Sequence, residues 1–424
     1  MKKIYMLGIG GISMSVLAMM LKEFGYDVSG SDDMRSRATE ELQACGIDVD
    51  YVANYSKIRE ADEVVYSSAI KPDNPQFLFA LNCRKKLVTR GQILGRVSKK
   101  YSKVIAVAGS HGKTTTTAML YEILLAAGLS PSLHLGGYRI EDGKNYVLAG
   151  KDVFITEACE YCDNFLNLFP YLSVVTNIEK EHMDYFKTFE NQKCSYEKFK
   201  KQSRNVIDGM GEFCAKNLRH DAQGNLAFSL YKGKEKVMRI KLKICEEVNV
   251  ENCIIAYRAA KLLGIDDCTI KLALEKFKGV EMRFQRVKSR YCENVILDYA
   301  HHPTEILKAI KSVKKIYKTK NIRIIFQPHT FSRTKSLIRE FVGVFKNENV
   351  LFFKTYSARE KPNDGLSARQ LSVRVEKFNK KAMYFDEYNL LEEKLKQCDA
   401  KNDLLLFVGA GDLPIKLNKS RFIE

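Results

Sequence analysis

No apolar run in the 424-residue chain reaches the roughly 18 residues that a membrane-spanning helix needs. There is no low-complexity tract and no internal repeat at a period of roughly 20 to 50 residues, which excludes linker-like disorder and a solenoid. The eleven cysteines are scattered singly apart from Cys159 and Cys162, and no second pair completes a zinc site. Reduced thiols lining packed surfaces account for them. The opening MKKIYMLGIGG has lysines and then apolar residues like a secretory signal, yet its glycines and the polar stretch from Lys22 onward fit a first strand and turn, so a cytoplasmic protein is expected. A net charge of +18 comes without a recognised nucleic-acid-binding motif, and the basic residues are spread out with only short clusters such as Lys198 to Lys201. Anionic small molecules are therefore the expected partners, with neither nucleic acid nor membrane.

Hydrophobic residues at 45% and charged residues at 28% describe a globular chain long enough for two or three domains. Three times the sequence restarts with an apolar strand. In IYMLGIGGISMSVLAMML a short strand meets Gly8, Gly10 and Gly11, a helical pattern follows to about Gly25, and a second strand ends at Asp32. Strand, glycine turn, helix, strand and acid outline a dinucleotide-binding unit, although Ser13 after Ile12 leaves the dehydrogenase fingerprint without its third glycine. A later strand, VVYSSAIKP, runs into Ser67, Ser68 and Ala69, where hydroxyls meet a ligand or simply cap a loop. The second restart is VIAVAGSHGKTTTTAML and the third begins near Arg283, with strands such as NVILDYAHHPTEI, IRIIFQPHTFSRT and DLLLFVGAGD alternating with helical segments. That alternation predicts an α/β fold of three domains. Residues 1–97 form a Rossmann-like domain, 98–282 a central P-loop ATPase-type α/β domain and 283–424 a second Rossmann-like domain.

The second restart carries the sharpest chemistry. VAGSHGKTT resembles a phosphate-binding loop, with two residues between its glycines instead of four and Val107 where the usual first glycine stands. Backbone amides from Gly109 through Ser110 and His111 to Gly112, with the helix start behind them, suit phosphate oxygens. Lys113 would reach the outer phosphates, and Thr114 would place its hydroxyl on magnesium. Magnesium needs oxygen ligands, and Glu157 and Glu160 follow a strand that ends at Thr156; His182 follows another. Two glycine-rich anion sites in one chain suggest that ATP on the middle block activates a second phosphorylated ligand held by the first.

GIGGISMS, SGSD, SSAIKPDNPQ, AGSHGKTTTT, EACEY, TNIEKEHMDYF, EMRF, DYAHHPTEI, FQPHTFSRT and GAGD occur in the order seen in the Mur ligase family, and the resemblance runs from Gly8 to Asp412. It implies an ATP-dependent, amide-forming ligase of peptidoglycan synthesis that joins L-alanine to the carboxylate of UDP-N-acetylmuramate through an acyl phosphate, as a monomer or weak homodimer. It further implies that the outer domains close on the central one. Alternatives on the same fold are a ligase that attaches a ready-made stem peptide to the same sugar and a catalytically idle binding protein. By that resemblance Gly8, Gly10, Gly11, Ile12, Ser13, Asp32, Ser67, Ser68 and Ala69 belong to the UDP-sugar site. Gly109, Ser110, His111, Gly112, Lys113, Thr114 and Thr115 belong to the ATP phosphates, Asn252 to adenine and Asp298 to the ribose. Thr114, Glu160 and His182 are the implied magnesium ligands, and Arg283 the arginine near the terminal phosphate. His301, His329 and Arg333 surround the acyl phosphate and the incoming alanine, whose carboxylate suits a planar guanidinium. Departures are Val248 before Asn249, where many relatives have histidine, Thr330, where part of the family has another arginine, and Tyr196, where other members place a modified lysine.

Overall fold

The computed structural model of the protein describes residues 1–221, 224–318, 320–358, 360 and 365–424. The central strands of the first sheet, KIYML and EVVY, are largely apolar and buried, as expected of parallel strands covered on both faces. β1 (Lys3–Leu7), β2 (Asp27–Ser31), β3 (Asp48–Asp50), β4 (Glu63–Tyr66) and β5 (Lys86–Thr89) form a parallel sheet of order β3-β2-β1-β4-β5. The chain order reverses between β1 and β4, so the loops leaving these two strands, at Gly8 and Ser67, flank the crevice in which such sheets take their ligands.

β6 (Lys103–Ala108), β7 (Ser132–His134), β8 (Tyr146–Val147), β9 (Val153–Glu157), β10 (Leu172–Val175) and β11 (Asn205–Asp208) form a second sheet of order β11-β10-β6-β9-β7-β8. It is parallel except for the short β8, which pairs antiparallel with β7. β6 lies between β9 and β10, so the loop after β6 emerges between the carboxyl ends of the two strands that lead to Glu160 and His182. The weakly patterned stretch after β11 is a three-stranded sheet, β12 (Phe213–His220), β13 (Leu226–Lys232) and β14 (Glu235–Leu242). A fourth sheet contains β15 (Gln285–Val287), β16 (Asn294–Asp298), β17 (Asn321–Phe326), β18 (Val350–Phe353), β19 (Met383–Phe385) and β20 (Asp403–Val408) in the order β15-β16-β20-β17-β18-β19. Its edge strand β15 runs antiparallel to β16, where the alternating pattern predicts a wholly parallel sheet.

The chain condenses into two compact units. One comprises Met1–Leu218, Ala227–Lys243 and Val248–Lys278, the other Arg219–Leu226, Ile244–Glu247 and Gly279–Glu424. In the first unit a single core runs from Ile4, Leu17 and Met20 under the first sheet to Phe154, Tyr196 and Phe199 under the second. Phe165 stacks on Phe199 at 4.7 Å and Tyr101 on Phe154 at 4.8 Å within that core. In the second unit alternate residues enter opposite cores, because side chains along a strand point to alternate faces. Ile324 and Phe326 join Phe341, Phe345 and Phe352 on one side, and Ile325 joins Leu351, Phe353 and Phe407 on the other. Among the described residues no helix is long and apolar enough to cross a membrane.

Candidate active site

The first glycine loop is built by backbone approach. Gly8 has φ +73°, a left-handed conformation that costs glycine little, and its N–H and that of Ile9 both donate to the Ser31 carbonyl at 2.8 and 3.0 Å. Gly10 N–H donates to Asp32 Oδ2 at 2.9 Å, and a Cβ at Gly10 would press on Thr39 and Asp32. Asp32 thus holds the loop from the end of β2, and Gly11 precedes the helix Ile12–Glu23. Ser67, Ser68 and Ala69 form the turn after β4, with Ile70 N–H donating to the Ser67 carbonyl at 3.0 Å. Ser13, in the first turn of that helix, faces the second sheet, with Oγ 2.8 Å from His134 Nε2.

The second loop, Gly109 to Gly112, has φ +136° at Gly109 and +80° at Gly112. A Cβ at Gly109 would overlap the Thr176 hydroxyl, and one at Gly112 would overlap the Asn252 side chain. Asn177 accepts from His111 N–H at 2.9 Å, and the Ser110 hydroxyl donates to the Glu179 carbonyl at 3.1 Å. Lys113 opens the helix Lys113–Ala126 and folds back over the loop, donating to the carbonyls of Gly109 and Ser110 and to both Glu160 carboxylate oxygens at 3.2 Å. Burial, the largest single influence, would lower the Lys113 pKa, but the negative charges around it, Glu160 first and then Cys159, Glu157 and Glu181, together more than reverse this and raise it above the usual lysine value. The Thr114 hydroxyl donates to Glu157 Oε2 at 3.0 Å, and Glu157 Oε1 accepts from Gly136 N–H at 2.6 Å. Thr115, the next residue, lies in the first turn of the same helix. Asn252 sits behind the loop on the helix Val248–Leu262, donating to Asn249 Oδ1 at 3.0 Å.

Glu160, Glu181 and His182 each offer a ligand atom within 4.8 Å of the others. Glu160 is fully buried, His182 Nε2 is 3.7 Å from its Oε1, and His111 Nε2 is 3.7 Å from Glu181. Tyr196 points its hydroxyl into the same neighbourhood. It is fully buried with no hydrogen-bond partner of normal geometry among the described residues, and burial together with the charges of Glu160 and Glu181 holds its pKa far above the phenol range. Two carboxylates, an imidazole and an orphaned buried hydroxyl fit a divalent cation with its bound water. Sequence reasoning includes Glu160 and His182 in this group and misses Glu181, which stands beside His182 in the quoted IEKEHMDYF. Thr114 turns to Glu157, not to Glu160.

The second unit gathers the other predicted residues. Asp298, at the end of β16, accepts from Phe284 N–H and Ala300 N–H at 2.8 Å each. Burial raises its pKa, and burial with the Asp298 charge pushes Glu246 up to about 8 against the lowering effect of Arg283. Sequence patterning carries no signal for Glu246. In the EMRF turn Met282 and Phe284 both have left-handed φ, +60° and +47°, and the Arg283 guanidinium between them sits 5.3 Å from the Tyr299 ring centre. Strained non-glycine residues of this kind persist where the surroundings over-determine them.

His301 Nδ1 is 3.0 Å from the Tyr299 carbonyl, which only accepts, so Nδ1 carries the proton and Nε2 keeps its lone pair when the ring is neutral. Arg333 donates to the His329 carbonyl at 2.9 Å and meets His329 Nδ1 at 3.3 Å; since arginine only donates, the proton of a neutral His329 lies on Nε2. The two rings are 6.0 Å apart. Burial and neighbouring cations lower both pKa values, that of His329 to about 4. At neutral pH the pair therefore offers one acceptor and one donor.

Family models match in three stretches. Residues 3–102 match the Mur ligase family catalytic domain, 107–207 the Mur ligase middle domain and 282–411 the Mur ligase glutamate ligase domain. These stretches correspond in turn to the three large sheets, so the fold is α/β with N-terminal, middle and C-terminal domains. The UDP-N-acetylmuramate–L-alanine ligase of Acetivibrio thermocellus is 35% identical over 97% of this chain and 94% of its own length. That of Clostridium kluyveri is 36% identical over 97% and 96%. Among solved structures, the UDP-N-acetylmuramate-alanine ligase of Thermotoga maritima matches with a TM-score of 0.85 at 25% identity, covering 99% of this chain and 98% of that one. The murein peptide ligase of Psychrobacter arcticus shares the fold, with a TM-score of 0.71 at 20% identity. With identity of this order across almost its whole length, the chain belongs to the Mur ligase family.

Proposed function

We propose that the chain is the ATP-dependent ligase that joins L-alanine to the carboxylate of UDP-N-acetylmuramate in peptidoglycan synthesis. The observation that carries this reading is Lys113, poised on a two-glycine phosphate loop and paired with the buried Glu160, in the same unit as a second, lysine-free glycine loop. Near-full-length identity to ligases of that name agrees with it. An isolated carboxylate is a poor electrophile, so a carboxylate oxygen of the sugar acid takes the γ-phosphoryl group and ADP leaves. The alanine nitrogen then attacks the acyl carbon, and the tetrahedral adduct expels phosphate.

Each site group has a role in this reading. The loops at Gly8–Ser13, Asp32 and Ser67–Ala69 hold the UDP-sugar, and residues 1–97 form its domain. Gly109 to Thr115 hold the ATP phosphates in a domain of residues 98–282, where Lys113 leaves Glu160 to meet the transferring phosphoryl group, with Asn252 at the adenine. In residues 283–424 Asp298 holds the ribose, Arg283 faces the terminal phosphate and Arg333 binds the alanine carboxylate. His301 Nε2 takes the proton of the attacking amine, and His329 Nε2–H donates to the developing oxyanion. Glu160, Glu181, His182 and Thr114 would hold Mg2+, which offsets charge on the phosphates when bound.

Phosphate release from ATP with UDP-N-acetylmuramate present, compared across L-alanine, glycine, L-serine and a stem tripeptide, tests the reading. Release that needs both the sugar and L-alanine is expected. Release with the tripeptide alone would assign the chain to peptide attachment, and no release under any condition would leave a binding protein.

A further inference from the structure

β7 ends in His134, which is fully buried between the two glycine-loop regions of the first unit. Four hydrogen bonds run through it. Arg90 NH1 donates to Ser13 Oγ at 3.2 Å, Ser13 Oγ lies 2.8 Å from His134 Nε2, His134 Nδ1 lies 2.8 Å from Thr156 Oγ1, and Thr156 Oγ1 donates to the Glu157 carbonyl at 3.0 Å. Their direction follows from which groups can donate. Thr156 gives its one proton to the Glu157 carbonyl, so it accepts from His134 Nδ1–H. Nε2 of the neutral ring is then unprotonated and takes the Ser13 proton, while the Ser13 oxygen receives from Arg90, which only donates. A protonated His134 would present a second donor to Ser13 and strand the serine proton. Burial first, and the Arg90 charge second, lower the His134 pKa to about 3, in keeping with a neutral ring.

Arg90 is half-buried where β5 passes into the helix Arg90–Ser98, and Ser13 is its hydrogen-bond partner; among the described residues no carboxylate pairs with it. Its helix is seated against the segment after Glu160, since a Cβ at Gly91 or Gly95 would overlap Asn164 or Asn167. A half-buried guanidinium that holds one neutral oxygen and has four N–H groups to spare is a binding group for an anion. We propose that His134 is a positioning residue for the sugar nucleotide: it fixes the Ser13 hydroxyl as the acceptor that aims the Arg90 guanidinium at the anionic oxygens of the UDP-sugar. This rests on the assignment of the first glycine loop to that ligand.

The test is the dissociation constant of UDP-N-acetylmuramate for the full-length protein and for His134→Val, His134→Gln, Arg90→Ala and the His134→Val/Arg90→Ala pair, with the KM for ATP measured alongside. His134→Val and Arg90→Ala are each expected to weaken sugar-nucleotide binding about tenfold, with the ATP KM within about twofold of the parent. The pair should bind no worse than Arg90→Ala alone, because His134 acts through Arg90. Glutamine, which keeps an acceptor near Nε2, should restore most of the affinity. Additive losses in the pair, or an ATP KM that moves as far as the sugar affinity, would overturn the proposal. UDP-N-acetylglucosamine, which lacks the lactyl carboxylate, separates the anions: Arg90→Ala weakens both ligands if the guanidinium holds the diphosphate and only the muramate if it holds the carboxylate. Should His134→Val not fold, the glutamine variant and the ring 15N shifts decide, an Nε2–H tautomer of His134 being the contrary result. Binding without turnover in the parent protein would remove the ligase reading and leave these binding arms intact.

Discussion

Two glycine loops in one compact unit share a backbone plan and differ in what surrounds them. Each leaves a parallel strand, turns on glycines that lie close to neighbouring atoms and enters a helix. In the first, a carboxylate from the next strand ties Gly10 in place, and the nearby Ser13 hydroxyl is held by Arg90 and His134. In the second, the cation belongs to the loop itself and bonds loop carbonyls and Glu160, partners that a phosphate can replace. A turn with exposed amides makes an anion site; the freedom of the cation beside it separates a binding site from a phosphoryl-transfer site.

The largest effect that this comparison predicts is at Lys113. Lys113→Ala should lower sugar- and alanine-dependent phosphate release by about a thousandfold or more, since cations at a transferring phosphoryl group contribute on that scale. UDP-N-acetylmuramate binding should be unchanged within about twofold, as measured by calorimetry on the same variant. Unchanged turnover would remove the phosphate-loop assignment and erase the contrast. Next come the glycines. Gly112→Ala forces a Cβ at φ +80° into Asn252 and should raise the ATP KM about tenfold or more, whereas Gly10→Ala presses on Thr39 and Asp32 and should raise the sugar-nucleotide KM by a similar factor. Steady-state kinetics with each substrate varied in turn checks the crossover; two variants that impair both substrates alike would mean that the loops do not act separately. A smaller effect is expected at Asp32, where asparagine keeps an acceptor for Gly10 N–H and should cost about threefold in sugar-nucleotide KM, against about tenfold for alanine.

The same comparison shows how far the sequence could be read. Strand, turn and helix at both loops are local patterns, and Gly8, Gly10, Gly11, Asp32, Gly109, Gly112 and Lys113 fall within or just beyond them. Glu157, the last residue of β9, and Glu160 just beyond it are both visible in the sequence, but only tertiary geometry assigns the first to Thr114 and the second to Lys113. Glu181 carries no periodicity of its own; its adjacency to His182 is the one signal available. The relay through His134 joins residues 77 and 121 positions apart, and no window along the chain brings Arg90, Ser13 and His134 together. The edge strands β8 and β15 escape for another reason: at two and three residues they are too short for alternation to show direction.

The smallest effect expected is also the one that best separates the two regions, because their charges titrate at opposite ends of the pH scale. Under the first sheet, Glu63 at the start of β4 is held by Arg96, Lys2 and Lys86. Burial alone would raise its pKa, but the hydrogen bonds from these three cations more than reverse that and bring it to about 2. A depressed carboxyl contributes stability that is present above its unfolded value of 4.5 and is lost as pH falls towards 2. Lys113 is the converse case. Its raised pKa contributes stability that is complete below the unfolded 10.5 and is lost as pH climbs through the folded value. Thermal unfolding across pH should therefore show Glu63→Gln flattening the acid limb between 4.5 and 2 and Lys113→Met flattening the alkaline limb above 10.5, each by a few degrees. Hydrogen exchange would locate the losses, with β1 and β4 opening first in acid and the turn after β6 in alkali. If both substitutions changed the same limb, the two loops would share one electrostatic support, and the difference between a tethered cation and a replaceable one would have to rest on kinetics alone.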